Sequence, residues 1–152
     1  MYKRQSLNGS SITELDLRYN LKLKSISGYS SLLTTVLLPN TLTSIEKSAF
    51  KECASLIEIH FPASLTSIGV NAFYGCSSLT EINFPASLTS IGESAFSFCS
   101  SLTEVICYAL VPPKLNGFSN STIENLYVPA ESIQAYKDSS WAIYFKNILP
   151  IE

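Results

Sequence analysis

Four cysteines, one histidine and a spaced set of glutamates are the residues of this chain whose types could support chemistry. Cys53, Cys76 and Cys99 recur at intervals of 23 residues, and Cys107 follows 8 residues after the last of them. Zinc sites draw their cysteines from closely spaced pairs, and single cysteines at this interval fit no such template. A disulfide needs correctly aimed Cβ vectors. Residues stacked in register point parallel, so these thiols are expected to form a buried, reduced ladder of small hydrophobes. His60 lies between Ile59 and Phe61, which puts it on the solvent side of an extended segment. It has no second histidine and no Ser or Cys on its face, so the partners of a nucleophilic triad are missing. Glu58, Glu81 and Glu104 share the 23-residue interval and one outward column, with Glu14 further along. Like charges stacked at about 4.8 Å repel. Such a column is either screened by water or matched by a basic partner, and a calcium site would need an Asp/Asn cluster to complete its shell. No phosphate loop, dinucleotide glycine motif or paired-carboxylate motif accompanies these residues. The chain is read as a non-enzyme without cofactor or metal.

The element that positions these residues is an internal repeat. Leu42, Ile45, Ala49, Phe50, Cys53, Leu56 and Ile59 return as Leu65, Ile68, Ala72, Phe73, Cys76, Leu79 and Ile82. They return again as Leu88, Ile91, Ala95, Phe96, Cys99, Leu102 and Val105. Self-similarity at such a period marks a solenoid. The frame L-x-x-L-x-L-x-x-N, the strand half of a leucine-rich repeat, is met by Ile12, Leu15, Leu17 and Asn20. Inward strand positions then follow at Leu33/Val36/Leu38, Leu56/Ile59/Phe61, Leu79/Ile82/Phe84, Leu102/Val105/Cys107 and Ile123/Leu126/Val128. These are six strand cores on one parallel sheet. Thr41, Ser64 and Ser87 stand where the first repeat has Asn20, and each is expected to hydrogen-bond turn backbone from inside.

One coil can be followed residue by residue. In Leu79–Phe84, Ile82 and Phe84 share a face by period two, and Glu81 and Asn83 point outward. Pro85 lacks an amide hydrogen and ends the strand. Leu88 and Ile91 return inward along a second short extended segment, and Gly92 is expected to permit a tight turn. Ser94, with Ser48 and Asn71 in its column, is expected to cap a short helical turn running from Ala95 through Phe96 to Cys99. Val111-Pro112-Pro113-Lys114 then replaces the usual segment. Phe118 is expected outside the regular repeat, so its truncation should cost less than that of Phe73. Glu131–Asp138 reads as a short helix, and the cluster Trp141, Ile143, Tyr144, Phe145 and Ile148 as a cap over the end of the core. The organisation expected is residues 10–107 as repeats of 21–23 residues and 108–152 as irregular last coils with a cap. Residues 1–9 read as a leader foreign to the repeat, and the native chain is expected to continue upstream. Met1–Gln5 has no apolar stretch behind it and is not a signal peptide.

Composition agrees. Apolar residues form 46% of the chain and charged residues 14%, with mean hydropathy +0.22, so there is apolar material for a core. No run approaches the ~18 apolar residues of a membrane-spanning helix. Residues 41–108 carry Lys47 and Lys51 against six glutamates, which argues against nucleic acid as a partner.

The motif L-T-S-I-G-x-x-A-F-x-x-C-S-S-L-T-E-I-x-F-P, carried by residues 65–85 and 88–107, resembles the BspA-like leucine-rich repeats of bacterial surface proteins. The segment Val128–Lys137 with Trp141 is similar to the end of such proteins in gut-dwelling anaerobes. The resemblance implies a leucine-rich-repeat solenoid with short helical turns opposite its sheet. It implies secretion or surface display and adhesion to host extracellular matrix proteins, and it brings no catalytic residues. Protein recognition, or glycan recognition, is the function expected; the alternative is a structural spacer carrying another domain. The candidate binding face is Thr35, Leu37, Glu58, His60, Glu81, Asn83, Glu104, Ile106 and Tyr108, with Ile106 beside Tyr108 as the anchor.

Overall fold

The computed structural model describes residues 13–20, 25–26, 31–119 and 123–152; the readings made on residues 1–9 and on Ile12 lie outside them. Alternation of apolar and polar residues over short stretches yields strands, and the repeat stacks them into two parallel ladders. The long ladder runs through β1 (Glu14–Asp16), β3 (Thr35–Leu37) and β5 (Glu58–Ile59), and continues through β7 (Glu81–Phe84), β9 (Glu104–Cys107), β11 (Ile123–Val128) and β12 (Phe145–Pro150). A single bridge between His60 and Asn83 joins its two parts. The short ladder consists of two-residue strands: β2 (Ser25–Ile26), β4 (Ser44–Ile45), β6 (Ser67–Ile68), β8 (Ser90–Ile91) and β10 (Lys114–Leu115). Register follows the repeat, with Val36 against Ile59, Ile82 against Val105 and Ile45 against Ile68. The long ladder thus gains a seventh strand, β12, from residues read in the sequence as cap.

The core is a set of columns running through the coils. Phe50, Phe73, Phe96 and Phe118 stack with ring centroids 5.2, 5.1 and 5.4 Å apart and nearly parallel planes. Phe61 and Phe84 form a second stack at 5.8 Å and meet the first edge-on. Offset stacks and edge contacts are the arrangements that the ring quadrupole favours. Phe118 is therefore a full member of the column, against the sequence expectation. Leu115 pairs with Ile91, and the amide of Phe96 donates to the Gly117 carbonyl at 2.7 Å. The coil is shortened between its strand and its aromatic residue, which hid the match.

The side opposite the long ladder also differs from expectation. Residues 95–99 form hydrogen-bonded turns and not a helix, and Ser48, Asn71 and Ser94 do not act as extended N-caps. They sit in the left-handed region, with φ of 57°, 55° and 54°. So do Glu52, Gly75 and Phe98, at 60°, 74° and 60°. Each left-handed residue redirects its peptide, so that alternate amides point at the next coil. Ser48, Phe50 and Glu52 donate to Val70, Ala72 and Tyr74, and Asn71, Phe73 and Gly75 donate to Glu93, Ala95 and Ser97. At the adjoining corner the direction is reversed, with Gly69 donating to Ile45 and Gly92 to Ile68. Left-handed backbone costs a residue with a Cβ about 1–2 kcal/mol. We expect Phe98→Gly to stabilise the protein by about 1 kcal/mol, less what is lost with its ring contact to Tyr74 (5.1 Å). Gly75→Ala should destabilise by a similar amount. Thermal melts of the two variants moving in the same direction would contradict this.

Gly92 is likewise not a turn glycine, since its φ is not positive. A Cβ there would stand 2.6 Å from Val70 N and 2.7 Å from Gly69 C, and one on Gly69 would stand 2.6 Å from Lys47 N. These glycines let backbone lie on backbone. The serine column does what was expected: Ser64 and Ser87 donate to the Leu42 and Leu65 carbonyls of the preceding coil, each at 2.6 Å. Ser132 extends the pattern to Leu110 at 2.9 Å. Asn20, by contrast, is exposed.

The last coil closes the core differently. A 3-10 turn (Ala130–Ser132), the helix α1 (Ile133–Lys137) and a second 3-10 turn (Ser140–Ile143) replace the left-handed turns. Tyr136 and Trp141 are fully buried. Both use the polar handle that a buried ring of this kind must satisfy: Trp141 Nε1 donates to the Pro113 carbonyl at 2.8 Å and Tyr136 Oη to that of Ala109 at 2.9 Å.

Candidate binding face

The cysteines lie in the core, away from any reacting surface. All four are buried, and none forms a disulfide. Cys76 and Cys99 donate through Sγ to the Phe50 and Phe73 carbonyls of the preceding coil, at 3.2 and 3.3 Å, and Cys107 Sγ lies 3.1 Å from Tyr136 Oη. Burial raises all three thiols above the ordinary cysteine range, Cys99 to about 12. The nucleophilic thiolate is thus suppressed twice, by access and by desolvation. Alkylation of native protein should be slow and should barely accelerate between neutral pH and pH about 9, whereas unfolded protein should label quickly with a thiol-like pH response. Rapid native labelling, or a disulfide within the ladder, would refute it. Among the described residues, no group of three or more His, Cys, Asp or Glu side chains could hold a metal ion, and no helix is long and apolar enough to cross a membrane.

The outward side chains of the long ladder form two columns whose order follows from register. The first runs Glu14, Thr35, Glu58 and, beyond the bridge, Glu81, Glu104, Asn125, Asn147. The second runs Asp16, Leu37, then His60, Asn83, Ile106, Tyr127, Leu149. Thr35, Glu58, His60, Glu81 and Tyr108 are exposed, and Leu37, Asn83, Glu104 and Ile106 are half-buried. Every candidate named from the sequence therefore stands on this face or, for Tyr108, at its lip, where the amide still reaches the Phe84 carbonyl at 3.1 Å. Sequence reading missed Tyr127 and Leu149. Tyr127 was available from period two within Ile123–Pro129, and Leu149 was hidden with β12.

The glutamates are not simply stacked like charges. Two of them are engaged by the residue two positions on: His60 Nε2 lies 2.9 Å from Glu58 Oε1, and Asn83 Nδ2 donates to Glu81 Oε1 at 2.8 Å. Asp16 holds Arg18 in the same way, at 2.9 Å, and the Arg18 hydrogen bonds lower its carboxyl below the usual range. Lys146 reaches Glu124 at 3.4 Å, and Asn147 donates to Asn125 at 3.0 Å. Asn83 Oδ1 is buried without a hydrogen-bond partner. The face grades from polar and acidic near β5 and β7 to apolar at Ile106, Tyr127 and Leu149. A parallel sheet backed by a packed core holds these side chains on rigid backbone, so little entropy is lost when a partner docks.

No curated protein sequence matches the chain. Among solved structures it is similar to a leucine-rich-repeat protein of T. pallidum, with 25% identity and a TM-score of 0.52 over 87% of this chain and 74% of that one. It is also similar in fold to the pneumococcal vaccine antigen PcpA, with 17% identity, a TM-score of 0.63 and 93% and 42% coverage of the two chains. A leucine-rich-repeat protein from Bacteroides ovatus matches at 21% identity and a TM-score of 0.54, over 79% of this chain and 44% of that one. The BspA type leucine rich repeat region matches residues 21–142 in 6 copies, the interval that holds all but the two ends of the long ladder. The chain belongs to the BspA-type leucine-rich-repeat family.

Proposed function

We propose that this chain is a recognition module that binds a protein partner on the outer face of the long ladder, displayed at the cell surface or secreted and used in adhesion to host extracellular proteins. It performs no catalysis in this reading. Membership of a repeat family supports a role in protein interaction, and the bacterial origin of similar structures is consistent with surface display. The observation that carries the choice of face is its composition. A passive spacer needs only a uniformly polar exterior, whereas here Ile106, Tyr127 and Leu149 stand in one column beside Glu104, Asn125 and Asn147, with Glu81 one strand back. Partly exposed apolar and aromatic groups gathered on a rigid surface are the usual anchors of an interface.

The test is binding to immobilised extracellular matrix proteins. Ile106→Glu should weaken binding about tenfold or more while leaving the melting temperature nearly unchanged, because the side chain lies outside the core. Glu81→Lys should slow association chiefly at low salt, where long-range steering is strongest. Wild-type binding by both variants would remove this face from recognition and favour the spacer.

A further inference from the structure

The coil that follows β9 breaks the repeat at the lip of the long ladder, and the break opens an apolar cleft of about 350 Å³ between its loop and that of the preceding coil. Buried Leu88 and Ala109 line it together with Ala86 and Pro113, and Leu110 and Val111 stand at its rim 59% and 78% exposed. Tyr108, just before them, is also exposed. Nowhere else among the described residues do three large apolar side chains stand this open within four positions. The loop does not collapse onto them because it is fastened from behind, by Ser132 on the Leu110 carbonyl and by Trp141 on that of Pro113. A preformed cleft spares a ligand the cost of ordering it.

Charge says what would fill it. The cleft lining carries no ionisable group, but the strands leading into both loops carry Glu81 and Glu104, paired side by side in the ladder. Strand rise places Glu104 about 13 Å from Tyr108. We propose that cleft and strands form one site for a protein segment with an apolar side chain at one end and Lys or Arg residues about four to six positions away, the span from Glu104 to Tyr108 and Leu110. The segment lies along β9. Its apolar side chain enters beside Leu110, and its cations lie over Glu104 and Glu81. This rests on the recognition reading above and specifies the partner's chemistry.

The probe is a short fluorescent peptide joining a pair of leucines to a run of lysines, followed by anisotropy. Binding should weaken about tenfold or more with Leu110→Asp, and equally when the peptide leucines become serine. Glu81→Lys with Glu104→Lys should weaken it in a way that fades as salt rises. None of these side chains belongs to the core, and thermal melts will establish that the variants remain folded. No binding by the leucine–lysine peptide, unchanged affinity with Leu110→Asp, or equal affinity for a leucine–glutamate peptide would each overturn the proposal. If Ile106→Glu still weakens matrix-protein binding while the peptide fails, only the cleft assignment falls. If neither Ile106→Glu nor Leu110→Asp alters any binding, the recognition reading falls with it.

Discussion

Phe118→Ala should destabilise the protein by about 3–5 kcal/mol, the same range as Phe73→Ala in a central coil. Both rings are fully buried in the same column. Phe73 touches Phe50, Phe61 and Phe96, and Phe118 touches Phe96, Trp141, Tyr144 and Phe145. Removing either leaves a cavity that the neighbours cannot close, because each is held by the backbone spacing of its own coil. The consequences should differ in kind. Loss at Phe73 weakens two central interfaces and uncouples the halves of the solenoid, since coils touch only their neighbours. Loss at Phe118 frees the terminal coil and its helix from the stack. Chemical denaturation should show comparable losses, and hydrogen exchange should show Phe118→Ala deprotecting β11, β12 and α1 while β5 and β7 stay protected. A loss under about 1 kcal/mol at Phe118 would restore the view that it lies outside the repeat.

Gly92→Ala should cost about 3 kcal/mol, more than exchanging glycine for alanine costs in ordinary extended backbone. The new methyl collides with backbone atoms of Gly69 and Val70, and backbone cannot rotate aside as a side chain can. The two coils must part at that corner. Their separation is fixed on the other sides by strand pairing, between Ser67–Ile68 and Ser90–Ile91 and between Glu81–Phe84 and Glu104–Cys107. Gly69→Ala should behave alike through its contact with Lys47. Replacement of Gly117 should be milder, because its nearest contacts are the side chains of Ile91 and Leu115. Equal melting temperatures for wild type and Gly92→Ala would disprove the close approach.

What the sequence made legible was whatever depends on period. The inward columns, the outward alternation and the parallel register of stacked thiols all follow from identical residues at one interval. So does the order of the outward side chains from Thr35 to Glu104 and from Leu37 to Ile106. What stayed hidden depends on backbone signs and on shifted spacing. A serine before a small apolar run is a sound helix-cap signal, yet Ser48 and Ser94 turn left-handed because their peptides serve the next coil. A glycine reads first as a turn residue, and only the approach of a neighbouring coil tells that Gly92 is there for want of a Cβ. Phe145 and Ile148 repeat the Ile123/Leu126 spacing on the long ladder, but the aromatic density around them and Pro150 at the column of Val128 made them look like a plug. In Glu58 and Glu81 the column of charge was visible, and the histidine and asparagine that engage it were visible too. Their meeting depends on side-chain reach across two residues of one strand, which the repeat period does not specify.

The hydrogen bonds of both ladders, and those of alternate amides in the left-handed turns, run between coils along the solenoid axis, and the coils are threaded in a single chain. A pull on the two ends therefore loads these bonds coil by coil, as teeth of a zip are loaded, and not all together in shear. Stretched from its two ends, the molecule should yield one turn at a time, each 23-residue turn releasing up to ~80 Å of chain. Under load it would lengthen in steps and dissipate work before the last coil opened.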